Sequence, residues 1–173
     1  GRSARGVRAM NLRPGDQLVS MDVLPVELAD RVETSAASGD DEGDSDADEV
    51  AASEGPWVLV ASASGLGKRV PVDQFRLQKR AGMGLRAMKF RREGDVLVGL
   101  KVLGAGEELL LVSERGVIVR TKADAIPQQS RAATGVRVQK LDNGDRLTEV
   151  VLVPPAPDDE SGDLDEQESD GDN

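Results

Sequence analysis

The sequence predicts an all-β chain of propeller-like blades, and three observations carry that expectation: a repeat of about fifty residues, four short apolar runs in each repeat, and glycine-rich turns between the runs. Three segments align along their length. GRSARGVRAMNLRPGDQLVSMDVL starts at Gly1, KRAGMGLRAMKFRREGDVLVGLKVL at Lys79 and SRAATGVRVQKLDNGDRLTEVVLV at Ser130. Each reads Arg, three residues, Gly, an aliphatic residue, Arg, an apolar alternation, a Gly-Asp turn and a second apolar run. The arginine anchors are Arg2, Arg80 and Arg131, and the matching glycines are Gly6, Gly84 and Gly135. The turns fall at Gly15-Asp16, Gly94-Asp95 and Gly144-Asp145.

The second and third anchors are 51 residues apart and the first and second 78 apart. The excess of 27 residues is close to the length of an acidic stretch at 27–54, which therefore reads as an insertion in a loop between repeats. A second half-repeat precedes the two later copies. LVASASGLGKRVPVDQF from Leu59 aligns with LLVSERGVIVRTKADAI from Leu110 at the same offset of 51, placing Gly65 over Gly116, Arg69 over Arg120 and Asp73 over Asp124. In the third unit the four runs are 109–113, 117–122, 136–141 and 146–153. Their lengths, β-branched content and glycine separators predict strands rather than helices. The unbroken apolar run Val117, Ile118, Val119 predicts a strand covered on both faces. A β-sandwich with accidental internal similarity is the competing architecture. It does not account for spacing and turn positions recurring together.

Charge is divided unevenly. Residues 27–54 hold eleven acids and one arginine, and residues 154–173 nine acids and no base, giving −10 and −9. Segments of this composition cannot bury enough apolar surface to offset chain entropy, so both are expected to be disordered. The remaining stretches, 1–26 at +2 and 55–153 at +7, are basic although the whole chain is −10. The predicted organisation is a partial blade at 1–26, an insertion at 27–54, blades at 55–104 and 105–153 and a tail at 154–173, about two and a half blades in all.

With no Cys and no His, the sequence excludes thiol and imidazole catalysis and the common zinc sites. The carboxylates Asp40, Asp41, Glu42, Asp44, Asp46 and Asp48 read as solvated chain, and no metal site is assigned. No transmembrane run or signal peptide is visible, which predicts a cytoplasmic location without membrane contact. The chain starts without Met and inside a repeat, which predicts further blades upstream in a longer protein. Trp57, Phe75 and Phe90 are assigned to the core, and so few aromatic residues disfavour single-strand binding by base stacking.

The segment Gln78, Lys79, Arg80, Ala81, Gly82, Met83, Gly84 resembles the Gln-Arg-Arg-Gly-Gly-Lys-Gly box of the C-terminal domains of DNA gyrase A subunits, with Ala and Met in place of a Gly and the Lys. QSRAATG at 129–135 is a looser version, and the opening GRSARGV is similar to the box in later blades. The resemblance covers everything except the two acidic segments, and the related topoisomerase IV subunit stands close behind. It implies a β-pinwheel, a propeller-like ring whose blades exchange strands and whose basic rim binds and wraps double-stranded DNA. It implies that Arg2, Arg80 and Arg131 contact phosphates, supported by Arg5, Arg8, Arg69, Lys79, Arg86, Arg120, Lys122 and Arg137, with Gly6, Gly82, Gly84 and Gly135 as box glycines. Cations at regular intervals along a rim gain affinity by releasing counterions from the duplex.

The resemblance also implies a role in ATP-dependent negative supercoiling, in the nucleoid, with the remainder of the A subunit plus the B subunit as partners. Catalysis is not expected in this chain, because the family cleaves DNA with a tyrosine and there is no Tyr here. ATP and Mg2+ belong to the intact enzyme, and no cofactor is expected in this chain. The acidic insertion and tail are expected to compete with DNA for the basic rim. A topoisomerase IV subunit, or a propeller-type protein interaction scaffold with mixed or apolar rims, is the alternative reading.

Overall fold

The computed structural model describes residues 2–26 and 52–153. The acidic stretches at 27–51 and 154–173, and with them the expected disorder and the carboxylates at 40–48, lie outside the described residues. Among the described residues seven strands follow in chain order: β1 (Trp57–Ser62), β2 (Leu66–Pro71), β3 (Leu97–Leu103), β4 (Glu108–Ser113), β5 (Ile118–Lys122), β6 (Val136–Arg137) and β7 (Leu147–Val153). Single 3-10 turns at Val72–Gln74 and Ala123–Ala125 sit at equivalent places after β2 and β5. Among the described residues no helix is long and apolar enough to cross a membrane.

Two antiparallel sheets result. The first has the order β3-β1-β2-β6 and the second β5-β4-β7. The half-repeats WVLVAS…LGKRVP and ELLLVS…IVRTK each make a hairpin, because alternating apolar runs flank a turn whose glycine, Gly65 or Gly116, adopts positive φ. Both central strands carry a register shift at the same point, between Ala61 and Ser62 and between Val112 and Ser113. The internal repeat is therefore a repeat of backbone geometry, bulge included.

Every residue of β1 is buried, since its two faces meet different cores. Leu59 and Ala61 pack with Leu103, Leu109, Leu111, Ile126, Leu147 and Val150 between the two sheets. Val58 and Val60 pack on the other side with Val70, Val72 and Met88. Each such aliphatic side chain contributes roughly 1.5–3 kcal/mol on burial, so β1 anchors both layers. The sheets meet closely where β3 passes β7: a Cβ on Gly99 would lie 2.9 Å from Val150 Cγ2.

The Gly-Asp turns explain why that dipeptide recurs. Asp95 accepts from the Ser64 amide (3.1 Å) and hydroxyl (2.6 Å), and Asp145 accepts from the Arg115 amide at 3.2 Å. Ser64 and Arg115 are equivalent positions in the two hairpins. Each aspartate thus ties the second half of a unit to the hairpin turn of its first half.

The first sheet has the four strands expected of a blade, one of them exchanged from the next unit. The third unit contributes β4, β5 and β7 to the second sheet, but its third run shrinks to β6 and crosses to the first sheet, pairing Leu66 with Arg137 and Gly67 with Val136. The run ends after Arg137 because the amides of Val138 and Gln139 both turn onto the Gly65 carbonyl. Residues 2–26 contain no strand, only an isolated parallel bridge from Met10 to Gly82. The expectation that β5 is covered on both faces fails: Val117 and Ile118 are 47% and 59% exposed. Among the described residues nothing pairs with the outer edge of β5, whereas β6 covers that of β2. Trp57 is in the core and Phe75 packs against it, but Phe90 is exposed at 41%.

These contacts set the response to two substitutions. Gly135 has φ 89°, and a Cβ there would sit 2.8 Å from the Gly67 carbonyl oxygen. Gly135→Ala should cost about 3 kcal/mol in chemical denaturation, from the left-handed backbone and the clash together. The Asp145 carboxyl is held below its ordinary pKa, chiefly by the Ser113 hydroxyl and then by the Arg146 and Arg115 amides and the Arg115 charge, against partial desolvation. A depressed native pKa stabilises the fold above the unfolded carboxyl's pKa of about 3.9, and that stability is lost as pH falls through the native value. Asp145→Asn should flatten this part of the acid limb in a denaturation series across pH 2 to 5, roughly the carboxylate titration range.

Candidate nucleic-acid interface

The third box is built as an arch over β2. Segment 127–129 runs beside β2 in parallel: the Arg69 amide donates to the Pro127 carbonyl (3.1 Å) and the Gln129 amide to the Arg69 carbonyl (2.9 Å). The chain then leaves the sheet and returns as β6, pairing Val136 with Gly67. Lys68, between those two footings, is fully buried and projects under the arch. Its Nζ donates to the carbonyls of Ser130, Arg131 and Ala133 at 2.5, 2.7 and 2.6 Å. A buried ammonium is tolerated only when its charge is met by oriented dipoles, and here three peptide carbonyls supply them.

One contact joins successive boxes in register. The Asn11 amide donates to the Gly82 carbonyl (2.9 Å), and the Lys89 amide donates to the Ala133 carbonyl (3.2 Å). Asn11 and Lys89 hold the same place in the segment after a box, and Gly82 and Ala133 the same place within one. Inside each box the same turn recurs, Gly82 to Lys79 and Ala133 to Ser130, both at 3.2 Å. Each box therefore rests on the chain that follows the previous box, and the three boxes form one continuous strip.

That strip brings two rows of arginines together. Arg2, Arg80 and Arg131 form the anchor row; Arg8, Arg86 and Arg137 occupy the sixth position after each anchor. All are exposed except Arg131, which is half-buried, with its backbone amide on Gln74 Oε1 (3.1 Å) and Nη1 on the Arg86 carbonyl (3.3 Å). That last bond ties the rows to each other. Arg5 and Lys79 are exposed in the same strip, and Arg8 Nη1 reaches Asn11 Oδ1 at 3.1 Å. Of the box glycines, Gly6, Gly84 and Gly135 have positive φ while Gly82 does not. Ala81 has φ 59°, a conformation that costs an L-residue roughly 1–2 kcal/mol, at the place where the box this segment resembles has glycine.

The remaining expected contacts separate from the strip. Arg69 is 9% exposed: its Nη1 pairs with Asp124 at 2.9 Å, its Nε donates to the Ile126 carbonyl at 2.7 Å, and its guanidinium lies 4.5 Å from the Trp57 ring centroid. Such a side chain joins two units and has no face left for a phosphate, so the sequence assignment of Arg69 to DNA is corrected. Arg120 and Lys122 are exposed on β5 of the other sheet, outside the box strip, and Arg120 pairs with the Glu108 carboxylate.

Sequence reasoning missed Lys89, Arg91 and Arg92, which with Arg86 and Phe90 line an open groove at 86–95. Arg91 was within reach, since it falls 78 residues after Arg13, at the offset of the other anchors. Lys68 also escaped. Its signal was a lysine standing over apolar Val119 in the half-repeat alignment, a polar residue at a buried strand position.

The matches to known proteins agree with this architecture. The family model described as DNA gyrase C-terminal domain, beta-propeller, matches residues 1–25, 56–103 and 107–154. The DNA gyrase A subunit of Synechocystis sp. is 46% identical over 172 residues, covering 97% of this chain and 20% of that protein. The chloroplastic/mitochondrial DNA gyrase A subunit of Arabidopsis thaliana is 34% identical, over 92% of this chain and 17% of that protein. The chain thus spans about a fifth of the length of these relatives. A solved DNA gyrase A C-terminal domain superposes with TM-score 0.52 at 32% identity, over 56% of this chain and 33% of that one. A topoisomerase IV C-terminal domain gives the same TM-score at 19% identity, over 57% and 30% of the two chains, a likeness of fold alone. Family model, sequence identity and superposition agree: this chain belongs to the DNA gyrase A C-terminal domain family.

Proposed function

We propose that the box strip binds double-stranded DNA through its phosphates and bends it around the rim, as the DNA-wrapping part of a gyrase A subunit. The observation that carries this is the repeated amide bond, Asn11 to Gly82 and Lys89 to Ala133, which sets the arginine rows in one register. A duplex presents one phosphate charge per roughly 1.7 Å of axis, so a strip of evenly placed cations meets it without reading bases. Bending a site of about 20–30 base pairs costs roughly 1–6 kcal/mol, which several phosphate contacts must offset together. In the longer protein the strip would act with the remainder of the A subunit plus the B subunit in ATP-dependent negative supercoiling, in the cytoplasm at the nucleoid. Among the described residues no group of three or more acidic side chains converges as a metal site, and no step is assigned to Mg2+ or ATP in this chain.

Two measurements test this. In mobility shifts on linear duplex over a salt series, replacing Arg80 and Arg131 together by Ala should weaken binding equally on unrelated sequences and lower the salt slope by about two. An unchanged slope would remove both residues from the interface. Deleting residues 154–173 takes away nine acids, and if the tail competes for the strip, affinity should rise at low salt and converge with the full chain at high salt.

A further inference from the structure

We propose that the outer edge of β5 is a docking site for a second copy of this chain, which pairs residues 6–12, from its first box, with that edge. The inference goes beyond the DNA reading and does not depend on it. Its template lies within the molecule. β2 and β5 hold the same place in their hairpins, and the edge of β2 is covered by β6, with Val136 on Gly67 and Arg137 on Leu66. The equivalent residues of the later hairpin are Ile118 and Val117, both exposed, and among the described residues no strand lies beside them. An open edge with apolar side chains is a ready template for another strand.

The same chain carries an unused donor. Val7 and Arg8 hold the places of Val136 and Arg137, yet among the described residues they pair with no strand, and both are exposed. Gly6 has φ 77°, close to the 89° with which Gly135 passes the Gly67 carbonyl, but a Cβ on Gly6 would meet nothing within 4 Å. The first box thus has the turn that leads into β6 without the partner that β6 has.

Side chains match as well as backbones. A Cβ on Gly67 would lie 3.1 Å from Val138 Cγ1, so β2 is small where the incoming segment is large. On β5 the corresponding residue is Ile118, and in the first box the residue facing it is Ala9, the same fit with the sizes reversed. Leu141 packs over Gly65, 3.1 Å from the place of a Cβ. Its equivalent Leu12 is exposed, and Gly116, the equivalent of Gly65, has nothing over it. The amides of Val138 and Gln139 donate to the Gly65 carbonyl, and those of Ala9 and Met10 would reach Gly116 in the same way. Docking leaves the first box attached to its own second box, because that contact uses the Ala9 carbonyl and the Asn11 amide instead.

Donor and acceptor are different surfaces, so the contact is head to tail and does not stop at a pair. It also carries the box strip from one chain to the next. The Lys140 amide stands where the Asn11 and Lys89 amides stand and has no acceptor among the described residues. In the assembly it faces the carbonyl of the partner's Ala4, which holds the place of Gly82 and Ala133.

The test is static light scattering on the full chain up to about 1 mM, since a contact this small belongs to the weak class. Salt at about 0.15 M screens repulsion between chains of net charge −10. The mean mass should rise with concentration past that of a dimer. Val7→Pro removes an amide from the donor, and Ile118→Pro blocks the receiving edge; each should raise the dissociation constant at least about tenfold. Mixed one to one, the two variants should form a dimer and nothing larger, because one keeps the edge and the other the donor. A parent chain that stays monomeric throughout, or association that survives both substitutions, would overturn the proposal. So would a monomer whose Ile118 and Arg120 amides exchange slowly with solvent, since the edge would then be covered from within the chain. If Ile118→Pro does not fold, Ile118→Lys takes its place and leaves the pairing of β5 with β4 intact.

Discussion

A pairing of two residues on two, Val136 and Arg137 of β6 against Gly67 and Leu66 of β2, is what the rest of the molecule depends on. It fixes one foot of the arch; the Arg69–Gln129 contact fixes the other, and the distance between them is two residues of strand. Everything in the third box has to fit over that gap. The close approach of Gly135 to Gly67, the inward carbonyls and the buried lysine are consequences of closing a loop over so short a span. Without the exchange, the third unit would still share a core with the second and hold Arg69, but the arch would have lost one of its two feet.

Strand exchange also decides which cations reach solvent. Arg69 and Arg120 occupy the same place in their half-repeats, yet one is locked between Trp57, Asp124 and Ile126 and the other lies open on β5. The difference is not in either hairpin. Chain from the next unit covers β2 at that point, and nothing described covers β5. Residues in equivalent positions of a repeat share a backbone but not an environment, because the environment is supplied by the neighbour.

That distinction marks how far the sequence could be read. The hairpins, the turn glycines and the Gly-Asp turns are local, set by alternation and turn chemistry over a dozen residues, and their positions were legible from the offset of 51. The arginine rows were legible for the same reason. The destination of the third run, the burial of Arg69 and the exposure of Phe90 and Ile118 depend on which chain segment lies alongside, and no periodicity within a unit records it. Lys68 is the intermediate case: its misfit with Val119 was visible in the alignment, but not the three carbonyls that explain it.

The seam between units has an optical consequence. Trp57 is the only tryptophan, and it is placed at that seam, with its indole N–H on Gln128 Oε1 at 2.8 Å and its ring under the Arg69 guanidinium. Gln128 belongs to the segment that enters the third box. Parting of the units would take both the amide acceptor and the cation from the indole and admit water in their place. The chain thus carries a single intrinsic fluorophore whose emission wavelength reports the joint between its units rather than the interior of either one.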